Sequence, residues 1–421
     1  MPTSQLTQDL WLWSLYGAVL CVGTSVLFAS VLRIARIPGG PPAAAIAGGL
    51  VAGILLGPAV LQQVDPDLGQ RLFAGAMAEQ ESFDKLQVQQ RAELTALQSV
   101  DATPEVIETT LKGHAEAITP VLLTLREAQA AARARLATFL LPLLGLAILL
   151  GAWTTIPRHK ARSMTDGSAL AVALFMVAFA ALPVALILRW IFKMPFEEAL
   201  AVGAAVGAGS MFAGLPVRPQ TRSAGDPHIR LTTLLAAVFA TGLLAWALPM
   251  PATRWLILPV GAAVVGFMLG LVAPARRVGR RISRGLVLGV LLPPLATFVA
   301  LQLDPALVLG NWRPIVVILL GFFTAGDGHF IGAWLSVQAF GVDHQRKYPH
   351  RHAVELVGAG TGLTQICFAF ILCASTTIQP HHTTGAAVIG LLLASGFVIE
   401  LMTNAHRRWA RKLDEIAKSH P

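Results

Sequence analysis

Runs of roughly 20 apolar residues recur along this chain, and that is the length a helix needs to cross the hydrocarbon of a bilayer. Eleven are legible, at 11–32, 40–61, 137–156, 168–190, 198–216, 231–249, 254–273, 285–303, 313–338, 353–374 and 385–403. Backbone polar groups in lipid must be satisfied within the protein, and continuous apolar runs do this as helices. Composition agrees. Only 13% of residues are charged and the mean hydropathy is +0.64, where a soluble domain carries about 25% charged residues. The chain reads as an all-α polytopic membrane protein with about 11 (11–13) transmembrane helices. No basic segment precedes the first run, so no cleavable signal is expected.

Basic residues set the expected orientation. With the N-terminus outside, the inner loops are 33–41, 157–166, 217–230, 274–284, 341–352 and 404–421, and they hold 21 of the 32 Lys and Arg. The short outer loops hold four: Arg189, Lys193, Arg254 and Arg313. The other seven lie in one long outer insertion, which is left out because long segments translocate largely regardless of charge. The net charge of +9 is therefore topological, and the run "ARRVGRRISR" at 275–284 is an inner loop rather than a nucleic-acid patch. The expected location is a bacterial inner (plasma) membrane, with the C-terminus cytoplasmic.

Chemistry-bearing motifs are scarce. Cys21, Cys367 and Cys373 fall inside apolar runs and read as small hydrophobes. No metal-ligand spacing, G-x-S-x-G, P-loop or dinucleotide fingerprint occurs. Neither an enzyme nor a cofactor is expected.

The outer insertion, 62–137, reads as a helical hairpin. One arm runs from about Asp67 to Gln98, the turn is "SVDATPE", and Thr103 and Pro104 are suited to N-cap and first helical position. The second arm continues into the next membrane helix without a break, as a helix of about 50 residues and about 75 Å, with Pro120 expected to kink it. It is either a lid on the outer face or a docking or dimer-contact element. The chain thus divides into two first membrane helices (1–61), the hairpin (62–137), a transmembrane core (138–403) and a basic tail (404–421).

Residues 36–61, "RIPGGPPAAAIAGGLVAGILLGPAVL", open with a short basic-apolar-Pro turn and end on Gly53, Gly57 and Pro58. This segment resembles the monovalent cation/proton antiporters of the potassium-efflux and sodium/proton exchanger group. The pattern extends weakly over 11–61 and 168–403, and the hairpin lies outside it. The resemblance implies an inverted-repeat fold whose ion site lies where two interrupted helices cross, and it implies a homodimer. The triples would be 168–249 and 313–403, with middle members at 199–217 and 355–374. Breaks are expected at Gly207 and Gly209 in one, and at Gly358, Gly360 and Gly362 in the other. Ser210, Thr361, Thr364 and Gln365 stand beside them. Unwound carbonyls and half-helix ends there would coordinate a cation; the bland alternative is small-residue packing.

The chain departs from that family at the acids. The helix after the first break normally carries one or two ion-binding aspartates, and here those positions fall near Ala240 and Thr241, with no acid in 231–249. The neighbouring stretch "GFFTAGDGHFIGAW" instead places Asp327 and His329 inside an apolar run, where a carboxylate is costly and usually functional. Burial among Phe322, Phe323 and Phe330 would disfavour its charged form and suit it to trade a proton for a cation. At i+2, His329 cannot share a helical face with it unless Gly326 and Gly328 open the helix. The alternatives are an aspartate capping the break, or neither role. Glu355 and Glu400 read as interfacial residues.

Three functions follow as expectations. The first is exchange of a monovalent cation, Na⁺ or K⁺, for protons, with ligands among Asp327, His329, Ser210, Thr241, Thr361 and Gln365. The second is a transport-inactive sensor, channel or scaffold that meets a protein partner through the outer hairpin. The third is transport of another solute such as an organic anion, against which stands the lack of a membrane-embedded Arg or Lys.

Overall fold

The computed structural model describes residues 3–57, 60–74, 76–99, 103–155, 167–208, 227–273, 277–341, 349–359, 362–375 and 383–419. Every regular element among them is helical. Among the described residues eight helices are long and apolar enough to cross a membrane, and Gly40–Leu56 and Leu363–Ala374 are apolar but shorter. The protein is a multi-pass membrane protein.

In chain order the helices are α1 (Thr3–Ile34), α2 (Gly40–Leu56), α3 (Met77–Ser99), α4 (Pro104–Thr155), α5 (Gly167–Phe192), α6 (Phe196–Gly207), α7 (Pro227–Ala247) and α8 (Met250–Val272). Helix α9 comprises Arg277–Leu286, a π turn Val287–Leu291 and Leu292–Ala300. Helix α10 comprises Trp312–Phe323, a π turn Thr324–Gly328 and His329–Phe340. Then come α11 (Pro349–Ala359), α12 (Leu363–Ala374) and α13 (Thr383–Ser419). The tail expected to begin at 404 is the end of α13, which runs on helically through the basic residues.

The chain forms two units, 1–19 with 60–139, and 20–59 with 140–421. In the first, α3 and α4 form the expected hairpin. Gln90 donates to the His114 carbonyl at 3.0 Å, and His114 Nε2 pairs with Glu93 at 2.9 Å. The second arm starts at Pro104 and continues through Pro120 to Thr155, 52 residues in all. Trp11 packs edge-on against Phe139, and Arg71 lies over Trp13.

In the second unit, small residues set the packing. The turn before α2 needs Gly39 and Gly40, at φ +94° and +77°, because other L-residues are strained there. Within α2, Gly48 faces the Ala29 backbone of α1, while Gly49 and Gly53 face Pro293, Thr297 and Ala300 of α9. Thr297 donates to the Gly49 carbonyl at 3.0 Å, sealing that contact. These are close approaches that larger residues would prevent. Helix α5 is flanked in the same way: Gly203 and Gly207 of α6 sit on Val177 and Ala181, and Gly328 and Gly332 of α10 sit on its Phe175–Ala180 backbone.

The two triples share one order. Helices α5, α6 and α7 run long, short, long and pack on one another. Helix α10, the α11–α12 pair and α13 repeat the order, with the middle member made of two short helices, Pro349–Ala359 and Leu363–Ala374. Helix α6 also packs against α12 and α13, which brings the two short elements together.

Candidate functional site

The site is built where α6 ends and α12 begins. Helix α6 stops at Gly207, with Ala208 extended (φ −62°, ψ 130°). A helix end leaves its last carbonyls without intrahelical partners and carries partial negative charge. Two side chains meet those carbonyls. His329 Nε2 lies 3.1 Å from the Gly207 oxygen; a carbonyl only accepts, so Nε2 carries a proton and donates. Gln365 Nε2–H donates to the Ala208 oxygen at 2.7 Å. That bond fixes which way the amide points, and leaves Gln365 Oε1 buried with no hydrogen-bond donor among the described residues. Gln365 is only 1% exposed, and an unsatisfied buried carbonyl costs about 1–3 kcal/mol. Such an oxygen is suited to a cation or a water.

Helix α12 starts on the opposite polarity. Its first residues are Leu363, Thr364 and Gln365, all buried. The backbone N–H of Gly362 donates to Glu400 Oε1 at 2.8 Å, across 38 residues of sequence. Glu400 is 1% exposed, a carboxylate inside the core and not at an interface as the sequence suggested. Gly362 is forced: a Cβ there would overlap the Gly396 carbonyl of α13. Gly396 and Glu400 are four apart on α13 and so lie on the same helical face.

The remaining sequence-derived candidates divide. Gly207 is the last residue of α6, where a break was expected. Gly358 is still helical, in α11, and Gly362 is the residue that precedes α12. Gly209, Ser210, Gly360 and Thr361 lie outside the described residues. Thr241 is half-buried and donates to its own helix, to Ala237 oxygen at 2.7 Å; Ala240 is fully buried.

Asp327 differs from expectation. It is exposed on the π turn of α10, whereas His329 is buried. Gly326 and Gly328 widen the helix, as a π turn does, without turning the two side chains into one cavity. Phe323 is 57% exposed and Phe330 half-buried, so these aromatics do not enclose the carboxylate. Glu355 is paired, reaching Arg351 at 3.4 Å and His352 at 3.8 Å.

No family profile and no curated protein matches the sequence. Among solved structures, that of the sodium proton antiporter MjNhaP1 from Methanocaldococcus jannaschii at pH 8 is similar over 98% of this chain and 99% of its own. The TM-score is 0.54 and the identity 12%. The likeness covers the whole chain, and it shows that this protein has the antiporter fold.

Proposed function

We propose that this protein exchanges a monovalent cation for protons across its membrane, at the crossing of α6 and α12. The observation that carries the reading is the carbonyl end of α6, met by His329 and Gln365, with Gln365 Oε1 buried beside it and without a donor among the described residues. A helix C-terminus attracts cations. Histidine is the side chain whose ordinary titration falls between pH 5 and 8. Protonated His329 and a cation therefore compete for the same carbonyls, one positive charge replacing the other. Mutual exclusion at one site is what exchange needs. Ser210, Thr241 and Thr361 are further candidate ligands. Asp327, on the exposed side of the π turn, is given no ligand role, since the burial that was to tune it is missing.

The similar solved structure is of a sodium proton antiporter, which supports the same reading. So do eight helices of spanning length. In this reading the N-terminus and the α3–α4 hairpin face outside a bacterial inner membrane, the C-terminal end of α13 is cytoplasmic, and the protein is a homodimer. Na⁺ and K⁺ both fit the donor set of carbonyl and amide oxygens.

One observation favours a second reading, a transport-inactive scaffold acting through the hairpin. The acid positions of α7 hold Ala240, which is buried, and Thr241, whose hydroxyl is taken by its own helix. Proton flux in proteoliposomes under imposed Na⁺, K⁺ and pH gradients separates the two. Cation-driven proton movement supports exchange, and none across a broad pH range leaves the scaffold.

A further inference from the structure

We propose that Glu400 is the proton-coupled carboxylate of this protein, doing from α13 what α7 is not equipped to do; the proposal rests on the exchange reading above. Three observations carry it. Glu400 is buried in the core of a membrane protein, where an acid is expensive and usually functional. Its Oε1 accepts the Gly362 N–H at 2.8 Å, at the start of the interrupted helix whose third residue is Gln365. And Gln365, 1% exposed, keeps a buried oxygen with no donor among the described residues while its nitrogen holds the Ala208 carbonyl.

The chemistry follows from charge. The Glu400 carboxylate faces the partial positive charge of the α12 N-terminus and accepts the Gly362 N–H. A cation beside Gln365 Oε1 balances the rest of its charge. When Glu400 takes a proton, the net negative charge is lost, its bond to Gly362 weakens, and the cation is no longer compensated. One proton enters as one monovalent cation leaves, so charge balances. Glu400 acts through Gly362 and the first turn of α12, which makes it a positioning residue.

The surroundings leave this role to few other groups. Of the elements packed against α13, α2, Leu292–Ala300 of α9 and the turn Pro305–Leu309 contain no titratable residue. Helix α12 contributes the thiols Cys367 and Cys373, and α6 contributes Glu197 and Glu198 at its opposite end. From α10 come Arg313 and Asp327, both exposed, and the buried His329. Helix α11 brings His350, Arg351, His352 and Glu355, the last engaged with Arg351 and His352.

The test uses the full-length protein and two variants. Glu400→Gln keeps the shape and an oxygen for the Gly362 N–H but cannot titrate; Glu400→Asp still titrates, one methylene shorter. Proton release is measured on adding Na⁺ or K⁺ to purified protein in weak buffer, and the pH profile of exchange is measured in proteoliposomes. The expected result is cation-driven proton release in wild type, a reduced release and an altered pH profile in Glu400→Gln with thermal stability retained, and a partial return at a shifted pH in Glu400→Asp. Release and a pH profile unchanged in Glu400→Gln would reduce Glu400 to a helix cap and leave exchange standing. If Glu400→Gln does not fold, an unshifted pH profile in Glu400→Asp overturns the proposal in the same way. A wild type that neither releases protons nor exchanges ends the exchange reading, and this inference with it.

Discussion

Gln365 donates its side-chain N–H to the Ala208 carbonyl at 2.7 Å, tying the first turn of one short helix to the last turn of another. The bond joins the two middle members of the repeated triples. It also fixes where the amide oxygen points. Removing the amide is therefore informative about both structure and ligand. Gln365→Leu should fold, since Leu is of similar volume, and should raise the cation KM of exchange by about tenfold, equivalent to ~1.4 kcal/mol. Exchange kinetics against cation concentration, alongside thermal unfolding in detergent, check it. An unchanged KM would take Gln365 out of the ligand set.

His329 and Gly207 form the second link across the crossing. His329→Gln retains an N–H donor without a titrating group, so it should fold normally and flatten the pH dependence of exchange. His329→Phe leaves the Gly207 carbonyl buried without that donor and should lose about 1–3 kcal/mol of stability. A wild-type pH profile in His329→Gln would show that the imidazole does not compete with the cation.

Gly362 and Gly242 make a matched pair of glycines. Gly362→Ala pushes a methyl into the Gly396 carbonyl, a backbone atom that cannot step aside. It should cost at least the ~1–3 kcal/mol typical of overpacking and displace Glu400. Gly242→Ala in α7 meets nothing within 4 Å and should be neutral or stabilising by about 0.5–1 kcal/mol. Melting temperatures of the two variants compare them directly. Equal tolerance would mean that α12 does not start against α13 as described.

Asp327 provides a negative control with consequences. On the exposed side of the π turn, Asp327→Asn should leave exchange close to wild type. Abolished exchange with a folded protein would return the proton to Asp327 and count against Glu400.

Much of this architecture was legible in the sequence. Apolar run length located the helices, and the glycine at 207 marks the end of α6, because small residues at a helix end leave a compositional mark. Gln365 was legible for the same reason, as a polar residue beside a break. Asp327 was misjudged because three phenylalanines around it suggested a core. In a membrane protein, apolar neighbours mark lipid as readily as interior, and Phe323 at 57% exposed is such a case. Glu400 was missed because it precedes "HRRWARK" and looked interfacial. The available signal was Gly396 four residues earlier, which marks that face of α13 as the one pressed against another backbone. No spacing rule could show that the backbone belonged to Gly362, since that contact depends on how distant helices pack. The helical tail was missed for a simpler reason: 404–419 lacks hydrophobicity, yet it also lacks Gly and Pro, so α13 has nothing to stop it.

The orientation is checked with cysteine chemistry. Cys21, Cys367 and Cys373 are all buried, so the native background for a membrane-impermeant thiol reagent is low. Ser99→Cys, at the end of α3, should be labelled from the periplasmic side of intact spheroplasts. Labelling only from the cytoplasmic side of inverted vesicles would reverse the topology.

A monovalent cation at the crossing of α6 and α12 is sought by anomalous scattering from protein crystals soaked in Tl⁺. The account predicts a peak within coordination distance of Gln365 Oε1, beside the Gly207 and Ala208 carbonyls, that weakens as the soak is acidified. A Tl⁺ peak elsewhere in the membrane core, or none at any pH, would contradict it.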